Sequence, residues 1–185
     1  MGEIEIAAAM LGVVNILLVV RRSIWNYPFG LAMVALYFFV FWNAKLYSDA
    51  LLQIFFFVIQ IVGWIAWSRA EQIDDGVVVG WMKRRAQALW LGATIVAIIV
   101  WGSIMARYTD AAAPLADAAV AGLSVSAQIL QSLRRVESWV LWITVDALAI
   151  GVFTSRGLGV TAALYSLFLI LAVIGLFQWR RKVIG

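Results

Sequence analysis

The chain has 185 residues, 65% hydrophobic and only 13% charged, where an ordinary globular chain carries about 25% charged. It contains no Cys and no His, which excludes disulfides, thiol catalysis, Cys/His zinc sites and a histidine general base. The formal charge is +4, yet so apolar a chain is no soluble nucleic-acid binder, and its basic excess reads as orientation in a bilayer.

Uncharged runs recur along the whole length and mark a polytopic membrane protein, about 20 apolar residues being needed to cross ~30 Å of hydrocarbon. The N-terminus carries Glu3 and Glu5 and no basic residue, unlike a cleaved signal with its positive first region. The pattern gives seven spans. The first covers 6–20 and contains Asn15; the second covers 23–44, with Pro28 and Gly30 near its start. Pro28 there is expected to free a carbonyl and kink the helix. The third covers 50–68 and holds Gln53 and Gln60. Residues 71–87 mix acids, Gly and Lys/Arg and read as a loop. The fourth span is 86–106. The fifth, 118–133, is the most polar, with Ser124, Ser126, Gln128 and Gln131. The sixth is 138–155 and the seventh 157–179. The first and fifth are the weakest spans, but their net hydrophobicity favours crossing over lying in the interface.

Charge placement tests the count. With seven crossings, one side collects Arg21, Arg22, Arg69, Lys83, Arg84, Arg85, Arg134, Arg135, Arg180, Arg181 and Lys182. The other collects Lys45, Arg107 and Arg156, so eleven of the fourteen basic residues share one face. The positive-inside rule makes that face cytoplasmic, in the cell inner membrane, with the N-terminus outside and the C-terminus in the cytoplasm.

One stretch stands out. Glu137-Ser-Trp-Val-Leu-Trp-Ile-Thr-Val-Asp146 opens the sixth span, and Asp146 lies four residues after Trp142. Positions four apart share a helix face, so a ring and an acid sit one turn apart in a lipid-soluble segment. A charge in the membrane interior costs at least about 2.5 kcal/mol unless paired, hydrated or neutralised, which marks Asp146 as functional or as a partner for a cation.

The chain also repeats itself at 112 to 114 residues. Arg21-Arg22-Ser-Ile-Trp25 resembles Arg134-Arg135-Val-Glu-Ser-Trp139, and Asn15 and Gln128 each stand six before their Arg pair. At a constant offset of 112, Leu46, Ala50, Leu52, Phe56, Gly63, Trp67 and Arg69 match Leu158, Ala162, Leu164, Phe168, Gly175, Trp179 and Arg181. A two-residue length change between Trp25 and Leu46 reconciles the offsets. The consequence is an all-α integral membrane protein with seven transmembrane helices in a 3+1+3 parallel repeat. Residues 1–69 form one three-helix repeat, 70–106 the loop and linker helix, and 107–185 the second repeat. A site is expected near the midplane, between the bundles.

These residues carry a family resemblance. Arg21-Arg22-Ser-Ile-Trp-Asn-Tyr-Pro-Phe-Gly30, Lys45-Leu-Tyr-Ser-Asp-Ala-Leu-Leu-Gln53 and Gly63-Trp-Ile-Ala-Trp67 resemble the first half of the PnuC family of vitamin transporters. Ala127 through Trp142, with Leu164, Tyr165, Gly175 and Trp179, resemble its second half. The resemblance spans nearly the whole chain. It implies a SWEET-like fold, often a homotrimer, and facilitated uptake of nicotinamide riboside, which a separate cytosolic kinase then traps. Relatives in the wider family carry thiamine or riboflavin.

Nicotinamide riboside is a flat aromatic cation with an amide and a ribose. A cation over an indole gains about 0.5–2 kcal/mol, and the amide and hydroxyls need partners inside the bundle. Gln53 and Gln60 stand two turns apart on one face, and Trp64 follows Gln60 by four. The second half supplies Gln128, Trp142, Asp146 and Tyr165, the last being the counterpart of Gln53 at the 112 offset. These seven are the candidate substrate-binding residues. Gln side chains also serve as interhelical glue. Trp25, Trp67, Trp139 and Trp179 fall near the span ends, where an aromatic belt explains them. Asp49 reads as a helix cap, Asn43 as a loop residue, and Glu137 as a partner for Arg134 or Arg135.

The expected mechanism is alternating access without a driving ion and without a cofactor; no G-x-x-x-x-G-K-[ST] run provides a nucleotide site. Asp146 leaves proton or sodium coupling as the competing reading. An intramembrane enzyme finds little support without His or Cys. An assembly subunit would gain nothing from buried polar groups.

Overall fold

In a bilayer every backbone N–H and C=O must be satisfied within the segment, so long apolar runs become helices. The computed structural model describes residues 2–43, 47–70, 72–73, 76–108, 114–155 and 159–183. Among them are seven α-helices: α1 (Gly2–Val20), α2 (Asn26–Asn43), α3 (Tyr47–Ser68), α4 (Arg84–Tyr108), α5 (Pro114–Ser132), α6 (Glu137–Ser155) and α7 (Gly159–Arg181). Each falls on one of the seven spans, its ends shifted by a few residues. The loop 71–87 contains a two-stranded antiparallel hairpin, β1 (Gln72–Ile73) and β2 (Gly76–Val77), which sequence patterning does not indicate. Within the described residues three helices are long and apolar enough to cross a membrane: Ala50–Ser68, Arg84–Tyr108 and Ala162–Arg181. Ile6–Val20 and Asn26–Val40 are shorter apolar helices.

Helices α1, α2 and α3 pack in series, and so do α5, α6 and α7. The two series meet where α1 packs on α7 and α3 packs on α5. Helix α4 packs on α5, and small residues set how closely. A Cβ on Gly122 would lie 2.6 Å from Ile98 Cγ1, and one on Gly102 3.1 Å from Leu115 Cδ1. Trp90 Nε1 donates to Ser126 Oγ, and Thr94 Oγ1 is 2.9 Å from the same hydroxyl.

Two helix ends share one unusual conformation. Arg22 (φ 58°) and Arg134 (φ 59°) are left-handed, where Gly is the common choice. At the first corner Ser23 N donates to Leu18 O (2.9 Å) and Arg22 N to Val19 O (2.8 Å). At the second, Arg135 N donates to Leu130 O (2.8 Å) and Arg134 N to Gln131 O (2.9 Å). Both are Schellman caps. The next turns also match, Asn26 N to Ser23 O against Ser138 N to Arg135 O. The corners thus correspond bond for bond at an offset of 112. Arg22, not Arg21, pairs with Arg134, Tyr27 pairs with Trp139, and no length change is needed.

Three further expectations change. Helix α2 starts at Asn26, so Pro28 lies in its first turn, where the missing N–H has no intrahelical acceptor to lose and the reason to expect a kink falls away. Trp25 is 64% exposed, as a belt residue should be, but Trp67, Trp139 and Trp179 are buried. They form the core of the basic end with Val19, Val20, Tyr27, Val77, Val79, Val136 and Ala172. Their indoles are enclosed because each triplet lends one to the other. Trp67 Nε1 donates to Ser132 O of α5 (3.2 Å), and Trp179 Nε1 to Val19 O of α1 (3.0 Å). Trp139 stands edge-on to Trp179 at 5.5 Å and covers Gly175, where a Cβ would lie 2.6 Å from its ring. Glu137, finally, turns toward the linker: its Oε1 accepts from Met82 N (2.7 Å) and Gln87 Nε2 (2.8 Å).

Candidate functional site

The inward faces of α1, α2 and α3 meet around Gly30. A Cβ built there would overlap Gln60 Oε1 and stand 2.7 Å from Asn15 Nδ2. The two amides therefore occupy the space that the missing side chain leaves. Asn15 is held in place, its Nδ2 donating to Asn26 O (2.7 Å). Gln60 is 5% exposed and has no hydrogen-bond partner among the described residues. Its position comes from helix geometry. Gln53, Gln60 and Trp67 recur every seven residues and face inward together.

Trp64, four after Gln60, is rotated off that stripe. It is 39% exposed and stacks on Tyr27 at 6.4 Å. The structure thus sets Trp64 on the outer side of α3, and Trp67 extends the stripe instead. Gln53, 9% exposed, borders a hollow of about 250 Å³ between α2 and α3 whose other walls are apolar, among them Phe38, Phe39 and Ile54. Phe39 and Ile54 are exposed on the outer surface, so this hollow opens toward lipid and is not the internal site.

On the other side, α6 brings Trp142 and Asp146 inward as their spacing requires. Trp142 Nε1 donates to Gln131 Oε1 of α5 (2.8 Å), which fixes the plane of the indole. Asp146 is 5% exposed, and no hydrogen bond or ion pair joins it to another described residue. It stands nine residues into α6, about 13 Å along the axis and so near mid-helix. Gln128, on α5 one turn before Gln131, is half-buried and also without a partner among the described residues. Tyr165 on α7 is half-buried and packs edge-on against Phe168 at 5.9 Å. Phe168 in turn reaches Gly12 of α1.

Gln60, Gln128, Trp142, Asp146 and Tyr165 thus lie within the bundle, Gln53 borders the outward-opening hollow and Trp64 lies on the outer side; the structure adds Asn15, Gly30 and Gln131. Asn15 was visible only as a repeat position. Gln131 gave no signal beyond its polarity, because its partner is eleven residues away on the next helix. Of the mouth residues, Asn43 is exposed at the end of α2. Lys45 and Arg156, and the side chain of Asp49, lie outside the described residues.

An unpaired amide or carboxylate in an apolar bundle costs several kcal/mol unless water or a ligand meets it. Gln53, Gln60, Gln128 and Asp146 all lack protein partners among the described residues. A helical membrane bundle with unpartnered polar side chains beside an oriented indole offers what a carrier of small solutes requires. The family described as nicotinamide mononucleotide transporter matches the chain over residues 3–181, and the chain belongs to it. The nicotinamide riboside transporter PnuC of Escherichia coli (strain K12) is 28% identical, over 95% of this chain and 84% of that protein. PnuC of Neisseria mucosa is 29% identical, over 95% and 71%. The riboflavin/roseoflavin transporter RibM of Streptomyces davaonensis is 23% identical, over 95% and 83%. Among solved structures, that of the vitamin B3 transporter PnuC matches with a TM-score of 0.84 and 26% identity, covering 97% of this chain and 81% of its own.

Proposed function

We propose that this transporter carries nicotinamide riboside down its gradient by alternating access, at a site between two like-oriented three-helix halves joined by α4. One observation carries the reading: Gln60, Gln128 and the Asp146 carboxylate lie within an apolar bundle with no hydrogen-bond partner among the described residues. Asp146 offers a counter-charge to a pyridinium cation. Trp142, held by Gln131, offers a face one turn away, and Gln60 and Gln128 offer amides to the ribose and carboxamide. The relatives named for this solute support the substrate. The 3+1+3 arrangement draws support from the packing. Exchanging α1 with α5 and α3 with α7 turns the α1–α7 contact into α5–α3, and the two arginine corners match at one offset. By the positive-inside rule we read the basic end as cytoplasmic, with the N-terminus outside and the C-terminus inside. A homotrimer and a cytosolic kinase that traps the solute complete the reading.

Purified protein in liposomes should take up nicotinamide riboside with no proton or sodium gradient imposed. Uptake that vanishes when such gradients collapse would reject the uncoupled mechanism. Thermal-shift measurements against nicotinamide riboside, thiamine, riboflavin and ribose identify the solute, since a ligand at a hundred times its Kd stabilises by about 2.7 kcal/mol. The RibM relative gives riboflavin as the second reading. Riboflavin is neutral, so Asp146 would then carry no counter-ion role.

A further inference from the structure

Residues 76–80 of the linker lie across the basic end of the molecule and touch both arginine corners. Val77 N donates to Arg22 O (3.2 Å), and Gly80 N donates to Arg134 O (3.2 Å). The two accepting carbonyls belong to the two left-handed residues, so one short segment joins equivalent atoms of the two triplets. Val77 and Val79 are buried in the aromatic core with Trp67, Trp139 and Trp179, which closes the seam between the triplets at this end.

The anchorage is unequal. Toward α5 and α6, Gly80 exchanges two backbone bonds, since Val136 N also donates to Gly80 O (3.1 Å). Glu137 Oε1 then accepts from Met82 N and from Gln87 Nε2 at the start of α4. Toward α1 and α2 there are two bonds: Val77 N to Arg22 O, and Arg22 Nη1 to Val77 O (3.1 Å). On that side the segment begins as β2, paired antiparallel with β1.

Reach limits how far the two corners can part. Val77 and Gly80 are three residues apart, and three residues span at most about 11 Å when fully extended. If the triplets separate at the basic end to release solute, the segment cannot stretch with them, and one anchorage must break. We propose, resting on the alternating-access reading above, that residues 76–80 are the basic-end gate. The segment stays with α5 and α6 and lets go of Arg22 whenever the site opens toward that end.

The absence of native cysteine makes the test direct. A Cβ on Gly76 would lie 2.7 Å from Arg22 Cβ, so cysteines at both positions need a shift of about 1 Å to reach disulfide geometry. The Gly76→Cys/Arg22→Cys pair, closed by oxidation or a short bis-thiosulfonate, should stop uptake into liposomes, and reduction should restore it. The Gly80→Cys/Arg135→Cys pair, whose Cβ atoms stand more than 4 Å apart and which the short bis-thiosulfonate bridges, should still transport. Undiminished uptake with the first pair closed, or loss only with the second, overturns the proposal. Should the first pair be inactive even when reduced, hydrogen exchange on the unsubstituted protein decides. The Val77 amide should exchange faster than the Gly80 amide, and equal protection overturns the gate. Absence of uptake by the unsubstituted protein would instead count against the transport reading, and the exchange measurement would still judge the gate.

Discussion

Gly30→Ala tests the site through a single methyl group. The added Cβ would overlap Gln60 Oε1, well inside ordinary van der Waals contact, so the amide must retreat. It must also push against Asn15 Nδ2, which its bond to Asn26 O restrains. Helix α2 itself should tolerate the change, since Ala exceeds Gly in helix propensity by up to about 1 kcal/mol, which offsets part of an overpacking cost of about 1–3 kcal/mol. Binding should suffer more. A displaced Gln60 leaves a solute hydrogen bond unmade, worth about 1–3 kcal/mol, or roughly five- to a hundred-fold in Kd. The assay is solute titration of purified protein, followed by thermal shift, on Gly30→Ala, Gln60→Ala and the double variant. If the added methyl acts by moving Gln60, it has no further effect once Gln60 is gone. Full affinity in Gly30→Ala, or a penalty that persists in the Gln60→Ala background, refutes the reasoning.

The same geometry sets three further outcomes. Gln131→Leu strips the acceptor from Trp142 Nε1, which should weaken binding and cost about 1–3 kcal/mol of stability, and a thermal melt with parallel titration reads both. Asp146→Asn should weaken binding of cationic nicotinamide riboside roughly ten- to a hundred-fold and spare neutral riboflavin, with titration of both solutes as the check; equal effects would remove the counter-ion role. Gly175→Ala should destabilise by about 1–3 kcal/mol, because its Cβ meets the rigid Trp139 ring at 2.6 Å. Gly63→Ala should cost less, its nearest neighbours being the Ser132 and Tyr27 hydroxyls, and comparative melts separate the two.

Which side chains turn inward was legible where helix periodicity alone decides it. Gln53 with Gln60, and Trp142 with Asp146, are paired correctly by spacings of seven and four. Trp64 is misplaced by the same rule because a step of four advances the face by about 40°, enough at the margin of a stripe to reach the outer surface. The three buried tryptophans mislead for a different reason. Their distance from the span ends fits a belt, and only the neighbouring helices show that each indole is covered and that Trp67 and Trp179 reach carbonyls across the interface. Gln131 and Asn15 give little signal because their partners lie on other helices.

Composition and pattern by themselves determined that this chain is a helical membrane protein, where its seven helices run, and that polar groups enter an apolar bundle. Each of those comes from local rules: the backbone must bond to itself in lipid, and side chains recur every 3.6 residues. The tertiary structure alone decided that Arg22 pairs with Arg134, that Glu137 serves the linker, and that residues 76–80 join the two corners. Those outcomes depend on atoms far apart in sequence competing for the same few carbonyls, and no local pattern encodes which contact prevails.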